Sequence, residues 1–251
     1  MGDSMDDERE QYLFSALNAA ANLYGVISVE EFLGLVNGYL AVRRETPFTA
    51  EEIRELAADP IDLSETWFAL CEEIPAAGPL IVSSRGFLIE GTETEPDRVD
   101  VKAVEEQMAV WKVKTVKTLP ELEFLYYNDP YYSEESGAGK RFAKFLRQEY
   151  GFGKDEALDA VEDVQAEIRF EPGLRVALYS SGATLGLEIA DRGQFEDLVD
   201  RLSPLVGATR AWNYRGHKES ELVADGVLSN FATADVEDLF SWFMGGCRPV
   251  T

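Results

Sequence analysis

Cysteine and histidine are scarce in this sequence. Its 251 residues include two cysteines, Cys71 and Cys247, and one histidine, His217. Two cysteines cannot form a disulfide framework, and neither has partner ligands at the spacing of a metal site. We therefore expect a cytoplasmic protein that holds neither a metal ion nor a cofactor.

Long apolar runs are also missing. No run approaches the roughly 20 residues that would span a bilayer. The acidic start, residues 1–10, lacks both the basic flank and the apolar core of a signal peptide. We expect a soluble intracellular protein with no membrane partner.

Positive charge is in short supply. Lys and Arg number 23 against 47 Asp and Glu, which gives a net charge of −24. Nucleic-acid affinity comes largely from cations that displace counterions around phosphates, so this balance disfavours DNA and RNA. It predicts either a well-solvated surface or a basic protein partner.

Apolar residues, at 45%, suffice for one large domain or two smaller ones. The clearest local signal is a helix that starts at Ser28. Ser28 and Glu31 have the spacing of a capping box, and Ile27 and Phe32 that of a hydrophobic staple. We expect the preceding helix to end near Gly25.

The first part of the chain predicts a winged-helix-like module over residues 10–95. A third helix begins with the capping box of Thr49 and Glu52 and stops at Asp59-Pro60. Residues 64–74 suit a helix better than a strand, and residues 80–82 and 87–89 suggest a hairpin. Three helices followed by a hairpin is the order of elements in a winged-helix domain.

The third predicted helix is poorly suited to reading DNA. It carries Glu51, Glu52, Glu55 and Asp59, which would repel phosphates. We interpret the module as a scaffold for protein contacts, with DNA contact through Arg43, Arg44 and Arg85 as the alternative.

A polar linker is predicted over residues 91–100, and a helical domain over 100–222. Residues 101–119 leave two interpretations open, a helix or a lysine-protected edge strand over 110–117. Thr118 and Glu121 have the spacing of a third capping box. Residues 223–251 are rich in large apolar side chains and predict a segment that docks on the helical core or on another subunit.

Four tyrosines surround the Asp129-Pro130 turn. Aromatic faces such as those of Tyr127 and Tyr131 could stack on a ligand, but a turn wedged between packed helices is the favoured interpretation. Residues 136–141 fail as a phosphate loop, because Glu134 stands where the first glycine belongs and Arg141 replaces the magnesium-binding hydroxyl.

The second half predicts a series of amphipathic helices. One covers residues 154–168, with Leu158 on its apolar side and solvated carboxylates on the other. A short helix over 174–181 is predicted to end at Gly182, and a longer one to start at Asp191 and kink at Pro204.

Residues 209–222 carry a resemblance to a known family. The residues concerned are Thr209, Arg210, Trp212, Gly216, His217, Glu221 and Leu222. They resemble the Asn-Asn-Thr-Arg-x-Trp and Gly-His-Thr-Pro-x-Glu-Leu runs of uncharacterised bacterial proteins that often carry a zinc-binding SEC-C motif. Lys218 and Glu219 replace the Thr-Pro pair.

The resemblance extends over most of residues 12–222, because residues 23–37 are similar to the amino-terminal Leu-Tyr-Gly-x-Ile helix pair of the same group. No cysteine-rich tail follows here, so the zinc is not carried over. The group implies no activity.

These observations predict a mainly α (α+β) protein and favour a non-enzymatic role, with an enzyme as the third and weakest option. A lone His217 without a Gly-x-Ser-x-Gly elbow indicates a structural histidine, and catalysis through it is the weakest interpretation. We expect a protein-interaction or regulatory module that binds a protein partner or a second copy of itself. A winged-helix regulator associated with nucleic acid is the alternative. The candidate functional residues are Arg210, Trp212, His217, Tyr127 and Tyr131.

Overall fold

The structure is a computed structural model that describes residues 7–58, 66–89, 91, 97–228 and 236–245. The chain is mainly α with small antiparallel sheets, which confirms the expected α+β class. It divides into two compact units, Met1–Tyr132 and Ser133–Thr251. Among the described helices, none combines the length and the apolar character that crossing a membrane requires.

The first unit contains six helices and five short strands in its described residues. In chain order they are α1 (Asp7–Tyr24), β1 (Val26–Ser28), α2 (Val29–Arg43), α3 (Ala50–Ala58), β2 (Phe68–Cys71), β3 (Leu80–Ser83), α4 (Ser84–Phe87), β4 (Leu88–Ile89), β5 (Arg98–Val99), α5 (Val101–Ala109) and α6 (Glu121–Leu125). A single 3-10 turn, Tyr126–Asn128, follows α6.

The main sheet is antiparallel with the strand order β1-β3-β2. Ile27 lies opposite Ile81, and Ala69 opposite Val82. The helix predicted over 64–74 is therefore wrong in its described part, because residues 68–71 complete this sheet as β2. The local pattern suits a helix, but pairing with β3 satisfies the backbone N–H and C=O groups of these residues in a strand.

The predicted hairpin of 80–82 with 87–89 is also wrong. One helical turn, α4, separates these stretches, and β4 pairs with β5 instead. The predicted linker thus contains a paired strand at residues 98–99. Its residues 92–96 lie outside the described residues, as does the helix stop at Asp59-Pro60.

Helix α1 is buried over its second half and organises the first unit. Its apolar side chains belong to one core with those of α2, α3 and the sheet. Polar groups fix distant segments to it: the Asn22 side chain donates to the Tyr127 carbonyl at 2.9 Å, and the Tyr24 hydroxyl donates to the Lys117 carbonyl at 2.7 Å. Buried amides and hydroxyls are tolerated when they are paired in this way.

Two of the three predicted capping boxes form. The Ser28 hydroxyl accepts from the Glu31 amide at 3.2 Å, and the Thr49 hydroxyl accepts from the Glu52 amide at 3.3 Å. In return, the Glu31 and Glu52 carboxylates accept from the backbone amides of Ser28 and Thr49. The box at Thr118 does not form, because α6 begins after Pro120 without a side-chain cap. In residues 101–119, α5 ends at Ala109 and residues 110–117 form no strand, so the helix interpretation holds for the first part only.

The second unit is helical in its described residues. Its elements are α7 (Gly137–Glu149), α8 (Lys154–Phe170), α9 (Leu174–Tyr179), a π turn (Ser180–Thr184), α10 (Arg192–Ala208), a 3-10 turn (Trp212–Tyr214), α11 (Glu219–Ala224) and α12 (Val236–Met244). One apolar core joins α7 to α10 with Leu239 of α12.

Two details of the second unit differ from prediction. Leu158 is 43% exposed, since Ala157, Ala160 and Val161 provide the buried side of α8. The short helix does not end at Gly182 but continues into the π turn, and Gly186 then takes a positive φ of 66°.

Helix α12 packs on the helical core of its own unit. Leu239 is fully buried, and the ring of Phe195 lies 5.2 Å from that of Phe240 and 5.5 Å from that of Phe243. A Cβ at Gly182 would lie 3.0 Å from the Phe243 ring, so the absence of a side chain there makes room for α12.

Candidate functional site

The predicted residues Arg210, Trp212 and His217 lie in one closed loop that follows α10. A β bridge joins Arg210 to Lys218, and the Ala211 amide donates to the His217 carbonyl at 3.3 Å. Between them the chain turns through left-handed backbone at Arg215 and Gly216, with φ of 50° and 79°. Glycine suits this region, whereas a non-glycine residue there is uncommon and needs support from its surroundings.

Arg210 is the electrostatic centre of this loop. Its side chain is 6% exposed. Its Nε donates to Glu134 Oε1 at 2.6 Å, and its Nη1 donates to the Gly216 carbonyl at 3.0 Å and to Glu221 Oε2 at 3.1 Å. A guanidinium suits this task because its donors diverge in a fixed plane toward several acceptors.

Glu134 also pairs with Lys218, so two cations hold one carboxylate. Burial alone would raise the pKa of Glu134, but its contacts with Lys218 and Arg210 outweigh burial and lower that pKa below its ordinary value. Glu221 caps α11 by accepting from the Lys218 amide at 3.2 Å. This network, Arg210 with Glu134, Lys218 and Glu221, is called the arginine network below.

Trp212 and His217 support the loop. Trp212 is 3% exposed and meets the ring of Phe170 edge-on at 4.4 Å between centroids. The His217 amide donates to the Tyr214 carbonyl at 3.0 Å, and its side chain is half-buried. Trp212 is thus a packing residue, and the backbone amide of His217 forms a hydrogen bond of the turn.

Tyr127 and Tyr131, in the first unit, do not share a face. Tyr127 is 2% exposed and its ring packs edge-on against Tyr132 at 5.0 Å. Tyr131 is 62% exposed, and the Arg85 guanidinium lies 4.9 Å from its ring centroid. Because one ring is in the core and the other on the surface, the pair does not form a stacking platform for one ligand.

A cavity of about 360 Å³ opens beside the closed loop in the second unit. It is lined by the start of α9, by α10, and by Tyr214 and Glu219. Glu219 is 9% exposed, and burial raises the pKa of its carboxyl. Burial, followed by the nearby charge of Glu219, raises the pKa of Tyr214 to about 12.

Sequence reasoning missed Glu134, Tyr214 and Glu219 as site residues. Glu134 is 76 residues from Arg210 along the chain, and no local pattern links them. Glu219 drew notice only as a replacement in the family motif. No local pattern set Glu219 apart, because residues 209–222 contain several other charged and polar side chains.

The acidic side of α8 does not gather around a common point. Among the described residues, no three His, Cys, Asp or Glu side chains are placed to hold one metal ion. In the segment that resembles a phosphate loop, the Ser136 hydroxyl accepts from the Gly139 amide at 2.9 Å, and Lys140 pairs with Glu135 at 2.7 Å. That segment is the capped start of α7.

Comparisons with protein families, with curated proteins and with solved structures gave no match.

Proposed function

We propose that the protein is a non-enzymatic, cytoplasmic interaction or regulatory module that recognises a basic protein. The observation that carries this proposal is the charge of α3 and its surroundings. Glu51 and Glu55 are exposed on α3, and Arg54 between them pairs with Glu51 at 3.5 Å and Glu72 at 2.9 Å. A surface of this kind attracts cations and repels phosphates.

The arginines around α3 are already engaged with protein groups. Arg9 donates to Glu52 at 2.9 Å and to the Thr46 carbonyl at 2.6 Å. Arg43 pairs with Glu45 and with Glu121, each at 3.0 Å. Binding phosphate through Arg9 or Arg43 would require breaking these contacts. This cost argues against nucleic-acid binding by these arginines.

The second candidate function is a winged-helix regulator associated with nucleic acid. The order α1, β1, α2, α3, β2, β3 and the antiparallel sheet favour a winged-helix-like module. Arg44 is exposed, and it forms no ion pair with any described residue. Arg85 donates to the Pro130 carbonyl at 3.2 Å and lies over Tyr131. These two cations are the observation in its favour.

Fluorescence anisotropy with two labelled probes separates the two functions. The probes are a lysine-rich peptide and a DNA duplex, each titrated with the full chain at about 0.05 M and about 0.2 M salt. We expect the peptide to bind and the duplex not to bind. The double variant Glu51→Lys, Glu55→Lys should weaken peptide binding several-fold.

A matched control is the double variant Glu105→Lys, Glu123→Lys, which makes the same charge change at exposed positions outside α3. It should retain most of the peptide affinity. Tight duplex binding that disappears when Arg43, Arg44 and Arg85 are changed to Glu would refute the proposal and support the second candidate. Equal weakening by both double variants would show that net charge, and not α3, attracts the peptide.

A further inference from the structure

The cavity beside Tyr214 and Glu219 has the size and the walls of a small-ligand site. Its volume of about 360 Å³ lies within the range of about 300–1,000 Å³ that such sites occupy. Leu174, Val176 and Val206 contribute apolar walls. Polar or charged side chains also line it, and such groups can orient a bound molecule.

Glu219 is the unusual member of this lining. Glu219 is 9% exposed. Its carboxylate makes no hydrogen bond or ion pair with any residue that the structure describes. Glu134 and Glu221, in the same unit, are held by Arg210 and Lys218. A carboxylate in a largely buried residue is costly when it lacks a counter-charge, and a cationic ligand would relieve part of that cost.

The other polar groups of the cavity suit a cation. Tyr214 offers an aromatic ring beside the carboxylate, and such rings attract ammonium and guanidinium groups. Glu171 adds a second carboxylate to the lining. The Ser203 hydroxyl is occupied, because it donates to the Val199 carbonyl at 2.8 Å.

Arg175 is the cation among these lining residues, and it is exposed. Its guanidinium lies 5.8 Å from the ring centroid of Trp242 and forms no described ion pair with Glu219. Burial is the cause of the raised pKa of the Glu219 carboxyl, with no neighbouring cation to oppose it. The Glu219 carboxylate is therefore available to pair with a cationic ligand.

We propose that this cavity binds an organic cation, a guanidinium or ammonium group carried on an unbranched alkyl chain. Glu219 holds the cationic head, Tyr214 supplies an aromatic face, and the apolar walls receive the chain. The same group occurs on free small molecules and on Arg or Lys side chains. The site lies within the second unit and does not depend on the proposed role of α3.

Isothermal titration calorimetry with n-butylguanidinium, n-butylammonium and the neutral isostere n-butylurea tests the proposal on the full chain. We expect saturable binding of the two cations and none of the urea. Glu219→Gln keeps the shape of the side chain and removes its charge, and should weaken cation binding about tenfold or more. Glu188→Gln, which removes one charge at an exposed position, should bind as the natural chain does.

Tyr214 provides an independent check. Tyr214→Phe keeps the ring and should retain binding, whereas Tyr214→Leu should weaken it, with folding verified by circular dichroism. A blocked tripeptide with a central arginine distinguishes the source: tighter binding than butylguanidinium supports a protein side chain, and weaker binding supports a free small cation. Absence of cation binding to the natural chain, or equal binding to Glu219→Gln, would overturn the proposal.

Discussion

A single guanidinium contacts two carboxylates in the arginine network. Arg210 contacts Glu134 at 2.6 Å and Glu221 at 3.1 Å while it is 6% exposed. Removing one partner of a buried pair leaves the other charge uncompensated, which costs more than the pair contributed. The network therefore makes the closed loop sensitive to this one residue.

Arg210→Ala should destabilise the second unit by about 3–5 kcal/mol, because Glu134 and Glu221 are partly buried and would both lose their contact with the guanidinium, which leaves Glu134 with Lys218. Urea unfolding of the full chain at neutral pH, followed by circular dichroism, measures the loss. Arg192→Ala is the matched control: its partners Glu196 and Glu237 are exposed, so little change is expected. Similar losses for both variants would contradict the interpretation.

The same network carries a pH dependence. Because folding lowers the pKa of Glu134, its stabilising contribution is complete above the ordinary glutamate pKa and is lost as the pH falls through the lowered value. Arg210→Ala should flatten this acid limb. For Glu219, whose pKa is raised, the sign is reversed, and its ionisation costs stability as the pH rises.

At the scale of elements, the helix starts were readable from sequence because capping is local. Ser28 with Glu31 and Thr49 with Glu52 need only four consecutive residues to satisfy the first helical turn. Thr118 has the same spacing, yet the Glu121 carboxylate accepts from the Tyr12 hydroxyl at 2.6 Å instead. Tyr12 lies 109 residues from Glu121 along the chain, so no local sequence pattern could reveal this hydrogen bond.

The strands were misread for a related reason. Residues 68–71 have an apolar pattern that suits either a helix or a strand, and pairing with β3 decides between them. The hairpin prediction failed because β3 pairs on both sides with other segments, so residues 87–89 found no place beside it. Register across a sheet is set by tertiary contacts that a single stretch does not encode.

The capping boxes make a paired prediction. Ser28→Ala should lower the free energy of unfolding by about 1 kcal/mol, because the first turn of α2 loses its side-chain acceptor. Thr118→Ala should leave stability unchanged, since α6 has no side-chain cap. Urea denaturation of both variants measures the difference, and equal losses would show that Thr118 stabilises the chain after all.

At the scale of the whole molecule, the net charge of −24 acts against folding. Several described ion pairs are exposed and contribute little, so general repulsion should exceed local attraction. Composition alone supported this conclusion. The ion pairs that engage Arg9, Arg43 and Arg54 with carboxylates became visible only in the structure.

Salt should therefore stabilise the protein. Raising NaCl from about 0.01 M to about 1 M shortens the screening length from about 30 Å to about 3 Å and removes most long-range repulsion. We expect the urea midpoint to increase over this range at constant pH. A decrease would mean that ion pairs, and the arginine network above all, outweigh the repulsion.

The burial of α1 affects how the protein is made. The Asn22 side chain bonds to the backbone of Tyr127, 105 residues further along the chain. A ribosome that adds roughly 5–20 residues per second needs about 5–20 s to synthesise that interval. During this time the nascent amino-terminal helix lacks this partner, and we therefore expect the yield of folded protein to depend on translation speed.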